Sequence, residues 1–288
     1  MRDEIDSLTK NRTWVLVEKP KNKTIVKNNW GFKLKRGINN EIIRFKARLV
    51  AKGFTQKPNI DYHEVFTPVV RNSTLRFLFT VAAKCNLKLE HIDVDTAFLN
   101  GILEEEVYMM QPENYVAEGE EEKVCLLKKA IYGLKQASYA WSKRINGLLM
   151  SLWFKRSGLE ACVYFKRKND MILIIAVYVD DILIVYNDVK EKDKVKTELA
   201  KNFTIKELGE PKQLLGLNIE RNDETGEIRI EQKHYVEQIL QRFGMQDCNP
   251  VSTPLETKAR SELNKNSEEI GENFPYQNLI GSLMYLSV

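Results

Sequence analysis

The sequence predicts an α+β fold built around an antiparallel sheet, and three patterns in its 288 residues carry that expectation. Met171–Tyr178 and Ile182–Tyr186 are apolar runs of strand length, rich in β-branched residues and separated by Val179, Asp180 and Asp181, which reads as strand, tight turn, strand. Leu87–Ile92 alternates apolar and polar residues as a half-buried strand does, and Asn100-Gly101 follows as a turn signal. Apolar residues recur at helical spacing over 74–83, 132–152, 190–203 and 233–243.

In chain order, Trp14–Val17 reads as a strand, and Asn29–Lys35 and Ile42–Val50 as a hairpin joined by the Gly37-Ile-Asn-Asn40 turn. Thr74–Ala83 is a helix after a Ser73-Thr74 start. The stretch 104–122 holds eight glutamates and no Lys or Arg, and reads as an exposed loop. Tyr132–Leu152 reads as one long amphipathic helix under the sheet, and Lys190–Phe203 as a charged one. Gln213–Arg221 and Gly226–Glu231 form a hairpin, followed by a helix over Lys233–Phe243. From Pro250 the composition is that of a linker, and Tyr276–Val288 begins a further element.

Composition sets outer bounds. A hydrophobic content of 43% suffices for one large domain with subdomains or two small ones. Asp180 and Asp181 interrupt the apolar run 171–186, so it does not read as a membrane span, and no signal-peptide pattern opens the chain. Cys85, Cys125, Cys162 and Cys248 lie far apart without Cys-x-x-Cys spacing, which argues against a zinc site and fits free thiols in a reducing compartment. His63, His91 and His234 are scattered and read as ordinary surface or core residues. The net charge of +4 hides an asymmetry: residues 1–57 hold 15 Lys and Arg against 5 Asp and Glu, an excess of 15 − 5 = +10. Such a basic lobe is the footprint expected for nucleic acid and triphosphates, although for most of its lysines a solvated face is the plainer reading.

The acids carry the chemistry. On its own segment the pair Asp180-Asp181 either closes a hairpin, Asp being a common turn residue, or holds hard cations at the end of stiff strands. Asp93, near the end of the strand that follows Leu87, supplies a third carboxylate. Two-metal phosphoryl transfer needs at least two strand-borne acids, with substrate phosphates and water filling the remaining positions.

Asp93-Val-Asp-Thr-Ala-Phe-Leu-Asn-Gly101, Leu126-Leu-Lys-Lys-Ala-Ile-Tyr-Gly-Leu-Lys-Gln-Ala-Ser-Tyr-Ala-Trp141 and Tyr178-Val-Asp-Asp181 together resemble the signature blocks of copia-type retrotransposon reverse transcriptases of the Pseudoviridae. Phe45–Gln56 upstream, and Leu208-Gly209, Leu215-Gly216-Leu217 and Asp247–Pro254 downstream, extend the resemblance in the expected order over nearly the whole chain. It implies a right-hand polymerase fold, with fingers in 1–84 and a palm in 85–222 whose acidic loop 104–122 faces away from the template. A hairpin and the start of a thumb would occupy 223–254, and a linker with the truncated start of a connection region 255–288.

The activity implied is RNA-directed DNA polymerisation by a Pol polyprotein, with two-metal nucleotidyl transfer from dNTPs to a primer 3′-hydroxyl on an RNA or DNA template. Two Mg²⁺ ions, with Mn²⁺ as a substitute, would be held by Asp93, Asp180, Asp181 and the backbone carbonyl of Val94. Lys46 and Arg48, at i and i+2 on one strand face, would clamp the β- and γ-phosphates. Phe98 would lie under the sugar and reject a ribose 2′-hydroxyl, and Gln136 would contact the incoming nucleotide and template; core packing and a polar helix face are the plainer readings of these two. Tyr178, Leu215 and Gly216 would touch the primer, and Lys206 would protonate pyrophosphate as a general acid. Asp95 has no matching role and is read as structural. The resemblance also implies RNase H and integrase regions in the same polyprotein, no membrane partner, and work within cytoplasmic virus-like particles with a later nuclear stage leading to DNA integration.

Three other readings stand beside this one: a catalytically inactive or domesticated nucleic-acid-binding remnant, a scaffold supporting a longer catalytic partner, and a two-metal nuclease. The three acids in register with Phe98 and Gln136 favour the polymerase, and a nuclease leaves those two residues and the basic lobe without a purpose. The end within Gly281–Val288 reads as that of a polyprotein fragment or of an interrupted element copy, and no further acid cluster is expected downstream to serve RNase H chemistry.

Overall fold

The chain opens with a helix that its sequence pattern does not announce, α1 (Arg2–Lys10). Asp3 and Glu4 in the first turn and Lys10 in the last complement the helix dipole, and Leu8 is its buried residue. One buried side chain in nine residues is too weak a period to be read from sequence. The computed structural model describes residues 1–36, 41–252 and 275–287. The chain forms two compact units, one from Met1 to Glu210 and the other from Pro211 to Val288.

In the first unit, β1 (Trp14–Val17) and β2 (Ile25–Val26) precede the ribbon of β3 (Asn28–Arg36) and β4 (Ile42–Ala51). These last two pair antiparallel, with Lys33 opposite Lys46 and Gly31 opposite Arg48, as the alternation predicts. The expected Gly37–Asn40 turn lies outside the described residues. Helix α2 (Asn72–Lys84) leads to β5 (Lys88–Val94), β6 (Ile102–Met109) and β7 (Val124–Lys129), then to α3 (Ala137–Ser151). Next come β8 (Lys155–Arg156), β9 (Val163–Lys168), β10 (Met171–Tyr178), β11 (Asp181–Tyr186), α4 (Val189–Asn202) and β12 (Ile205–Gly209).

One sheet runs β1-β7-β6-β2, its β2–β6 pair parallel, and a larger antiparallel sheet runs β12-β5-β11-β10-β9-β8. The larger sheet buries Ile92, Ile175, Ile182 and Ile184 against Trp141, Ile145 and Leu149 of α3 and Leu199 of α4. Leu183 and Val185, on the opposite face of β11, are buried as well. A strand covered on both faces reads as an unbroken apolar run, which is why this segment stands out in the sequence. A second core joins Leu8, Leu49, Met109, Leu127, Ile131 and Leu134.

Two elements differ from the sequence reading. Glu104, Glu105 and Glu106 lie within β6 and not in a loop; burial alternates along this strand, with Leu103 and Val107 inward, so a half-exposed strand tolerates the glutamates. The helix expected from Tyr132 begins at Ala137, because Gly133 takes φ +91°. Ala51 N donates to Tyr132 O at 2.8 Å, and a Cβ on Gly133 would stand 2.1 Å from Ala51 O. The positive φ and the close backbone approach both require glycine. Gly133→Ala is expected to destabilise the protein by more than about 2 kcal/mol, read as a lower urea midpoint at an unchanged slope.

The second unit holds a meander of β13 (Gln213–Leu214), β14 (Leu217–Arg221) and β15 (Ile228–Glu231), with α5 (Lys233–Arg242) and α6 (Tyr276–Ser287). Leu215 (φ +50°) and Gly216 (φ +82°) form the turn expected there, between β13 and β14, and the hairpin with Gly226–Glu231 is made by β14 and β15. The expected linker lies largely outside the described residues. No helix among the described residues is long and apolar enough to cross a membrane.

Candidate active site

Strand pairing gathers the acids. Asp93, next to last in β5, lies directly opposite Asp181, the first residue of β11. Tyr178 pairs with Asp181, so Val179 and Asp180 are the two turn residues of the β10–β11 hairpin. Val179 sits at φ +53°, a conformation that costs a β-branched residue about 1–3 kcal/mol and persists only where its surroundings impose it. They do: the buried Trp141 indole donates to Val179 O at 2.7 Å, and Val94 N donates to Asp180 O at 2.8 Å. Trp141 in turn packs edge-on against Phe203, ring centroids 5.0 Å apart. A turn strained and doubly anchored in this way presents its carboxylates on rigid backbone.

Asp93, Asp180 and Asp181 are each half-buried. Burial raises the pKa of the Asp180 carboxyl, and the neighbouring charges of Asp181 and Asp93 raise it further, against its own backbone N–H and the Arg48 guanidinium. Crowded like charge made of hard oxygen donors fits divalent cations. Among the described residues no three His, Cys, Asp or Glu are already drawn together as a finished metal cage. Protein cations and a histidine take the oxygens instead: Lys206 Nζ lies 3.7 Å from Asp93 Oδ2 and closer to Asp95, and His91 Nε2 lies 2.7 Å from Asp181 Oδ1. Asp95 thus has a salt-bridge role, and Lys206 sits at the acids from β12.

His91 reads as ordinary in the sequence, yet it contacts an acid of the site. Its position two residues before Asp93 on the same strand face is the available signal, since i and i+2 project together. Trp141 and Tyr132 are likewise neighbours of the site that sequence reasoning misses; their contacts depend on how α3 and the 131–136 turn pack.

The other nominated residues divide. Arg48 stacks on the Tyr132 ring at 4.6 Å and contributes to the field at Asp180, which brings β4 to the acids. Lys46 lines a groove of about 370 Å³ along the hairpin with Phe32, Lys33 and Phe45. Phe98 follows β5 in a 3-10 turn (Ala97–Asn100), and its ring lies edge-on to Tyr132 at 5.0 Å. Gln136 is fully buried, and its amide is engaged inside the protein, accepting from Gln56 Nε2 at 3.1 Å and donating to Asp61 O at 3.1 Å. A side chain so occupied ties the 56–61 segment to the start of α3. Leu215 and Gly216 belong to the second unit, where Tyr285 Oη donates to Leu215 O at 2.9 Å.

A sequence model described as reverse transcriptase (RNA-dependent DNA polymerase) matches residues 11–257. The Retrovirus-related Pol polyprotein from transposon TNT 1-94 of Nicotiana tabacum is 42% identical over 296 residues, covering 100% of this chain and 22% of the relative. The corresponding polyprotein from transposon RE2 of Arabidopsis thaliana is 35% identical over 288 residues, covering 100% and 20%. This chain therefore spans about a fifth of the length of these relatives. Among solved structures, telomerase from Candida albicans in complex with the TWJ fragment of telomeric RNA aligns over 85% of this chain and 55% of that one, at 10% identity and TM-score 0.38. A likeness of that degree bears on neither substrate nor mechanism. The match over 11–257 and the end-to-end similarity to transposon polyproteins identify the chain as a member of the reverse transcriptase family, of the type found in copia-like retrotransposon Pol polyproteins.

Proposed function

We propose that this chain is an RNA-directed DNA polymerase of the right-hand type, extending a primer from dNTPs on an RNA or DNA template. The observation that carries the reading is the Asp93–Asp181 cross-strand pair with Asp180 at the adjoining turn, in a chain of the reverse transcriptase family. In this reading the fingers are 1–84, the palm 85–222 and the hairpin and start of a thumb 223–254, whereas the compact units divide between Glu210 and Pro211. Asp93, Asp180 and Asp181 would hold two Mg²⁺ ions, or Mn²⁺, with the Val94 carbonyl alongside. Bound there, divalent ions would lower the pKa of the primer 3′-hydroxyl and stabilise charge on departing pyrophosphate.

The protein's own groups do the positioning. Arg48 and Lys46 neutralise the triphosphate, Phe98 excludes a 2′-hydroxyl, and Tyr178, Leu215 and Gly216 meet the primer strand. Lys206, whose Nζ lies 3.7 Å from Asp93 Oδ2, would give a proton to the leaving group. The rest of the polyprotein, with RNase H and integrase regions, and a site of action in cytoplasmic particles belong to the same proposal.

The test is incorporation of dTTP on poly(rA)·oligo(dT) with Mg²⁺, comparing this chain with an Asp180→Asn, Asp181→Asn double variant. Incorporation by the natural sequence alone supports the polymerase. Salt-sensitive duplex binding by both proteins without extension by either would replace it with the nucleic-acid-binding remnant.

A further inference from the structure

Tyr132 stands where two of the residues assigned to the incoming nucleotide meet. Its ring is edge-on to Phe98, centroids 5.0 Å and planes 70° apart, while the Arg48 guanidinium carbon lies 4.6 Å from the same ring's centroid. The ring is half-buried, and its backbone is fixed: Tyr132 O accepts from Ala51 N at 2.8 Å, three residues beyond Arg48 on β4, and Gly133 abuts Ala51. Phe98 is itself only partly buried, packed at the margins of both apolar cores. Its side chain therefore depends on Tyr132 as a neighbour in a way that a core phenylalanine would not.

We propose that Tyr132 is a specificity-positioning residue that sets the placement of Phe98 against the sugar 2′ position and holds Arg48 toward the triphosphate. Sugar selection and phosphate binding then share one support. The inference rests on the polymerase reading and adds a residue to it. An edge-to-face ring pair and a cation over a ring each have well-defined geometry, and losing either lets its partner adopt other rotamers. Replacing Tyr132 by a flexible aliphatic side chain removes both ring contacts, whereas Phe keeps them and gives up only the hydrogen bond between the phenol and Arg48.

The experiment measures kcat/KM for dTTP and for UTP on poly(rA)·oligo(dT) with the full chain and its Tyr132→Leu, Tyr132→Phe and Phe98→Ala variants. Tyr132→Met replaces the Leu variant should that one not fold. Tyr132→Leu should lower the dTTP:UTP ratio about tenfold, the size of effect an aromatic contact supports, and raise the KM for dTTP. Tyr132→Phe should keep the ratio within about twofold. In the Phe98→Ala background, Tyr132→Leu should move the ratio no further, because contacting residues are not additive. A purely structural Tyr132 would lower kcat for both nucleotides and leave the ratio where it was, and that result overturns the proposal. Equilibrium binding of dTTP and UTP in Ca²⁺ separates the two readings. A natural sequence that extends no primer removes the polymerase reading, and the binding ratios of the same variants then decide the role of Tyr132. Equal binding of dTTP and UTP by the natural sequence, or no binding of either, overturns that role too.

Discussion

Asp93→Asn is expected to abolish nucleotide incorporation while leaving the metal-free protein at least as stable as the natural sequence. The first half follows from charge. Asp93 is one of three carboxylates at one end of the large sheet, and an amide is a far poorer ligand for a hard divalent cation than a carboxylate. Loss of even an outer partner of a bound metal costs about 10- to 100-fold in affinity or activity, so a direct ligand should exceed about a hundredfold.

The second half follows from crowding. Asp93 contributes to the repulsion that raises the Asp180 pKa, and its removal relieves part of that cost. Lys206 keeps Asp95 as a partner, so no ammonium is orphaned. Primer extension and a thermal melt on the same preparation test both halves. A variant that loses activity together with a lower melting temperature would mean that Asp93 acts through the fold.

The largest effect on stability is expected at Glu90. This carboxylate is buried on β5, on the strand face opposite His91, with Lys192 Nζ at 2.9 Å and Lys196 also bonded to it from α4. Lys192 additionally lies over the Tyr186 ring at 5.2 Å. Burial pushes the pKa of Glu90 up, but the hydrogen bonds from Lys192 and Lys196 outweigh it and hold the group below the ordinary carboxylate range. Removing the anion takes away the buried carboxylate that the two ammonium groups share, and because Lys192 keeps Asp193 and Lys196 keeps Glu207, Glu90→Gln should cost about 3 kcal/mol, the low end for a broken buried pair.

The pH dependence has a definite sign. A carboxyl with a depressed pKa in the folded state stabilises above its unfolded pKa, and that contribution disappears as pH falls through the folded value. Unfolding free energies of the natural sequence and Glu90→Gln should therefore differ at neutral pH and converge below the ordinary carboxylate range. A constant gap would show that packing, and not charge, is at stake.

The larger sheet and its acids are legible in the sequence because their signals are local. The two apolar runs around Asp180 and Asp181 form β10 and β11, and Asp93 falls near the end of its strand. The helices α2, α4 and α5 follow from period. Where local signals fail, the reasons are physical. Gly133 breaks a helical pattern only because Ala51, distant in sequence, comes within contact of it. Gln136 is buried and bonded to Gln56 and Asp61, partners that no short segment names. The first helix sets only Ile5 and Leu8 toward the core, too few positions to establish a period.

By itself the sequence determined the strand–turn–strand unit, the identity of three carboxylates at strand ends, the basic asymmetry of residues 1–57 and the order of the motif blocks. These depend on residue type and on the side-chain periods of strands and helices, which a linear chain displays directly. Only the tertiary structure decided that Asp93 faces Asp181, that His91 and Lys206 hold those acids, and that Trp141 fixes the strained Val179. It also decided that Tyr132 stands between Phe98 and Arg48. Each of these contacts joins residues brought together by strand register or helix packing, and neither register nor packing partner is encoded in any short segment.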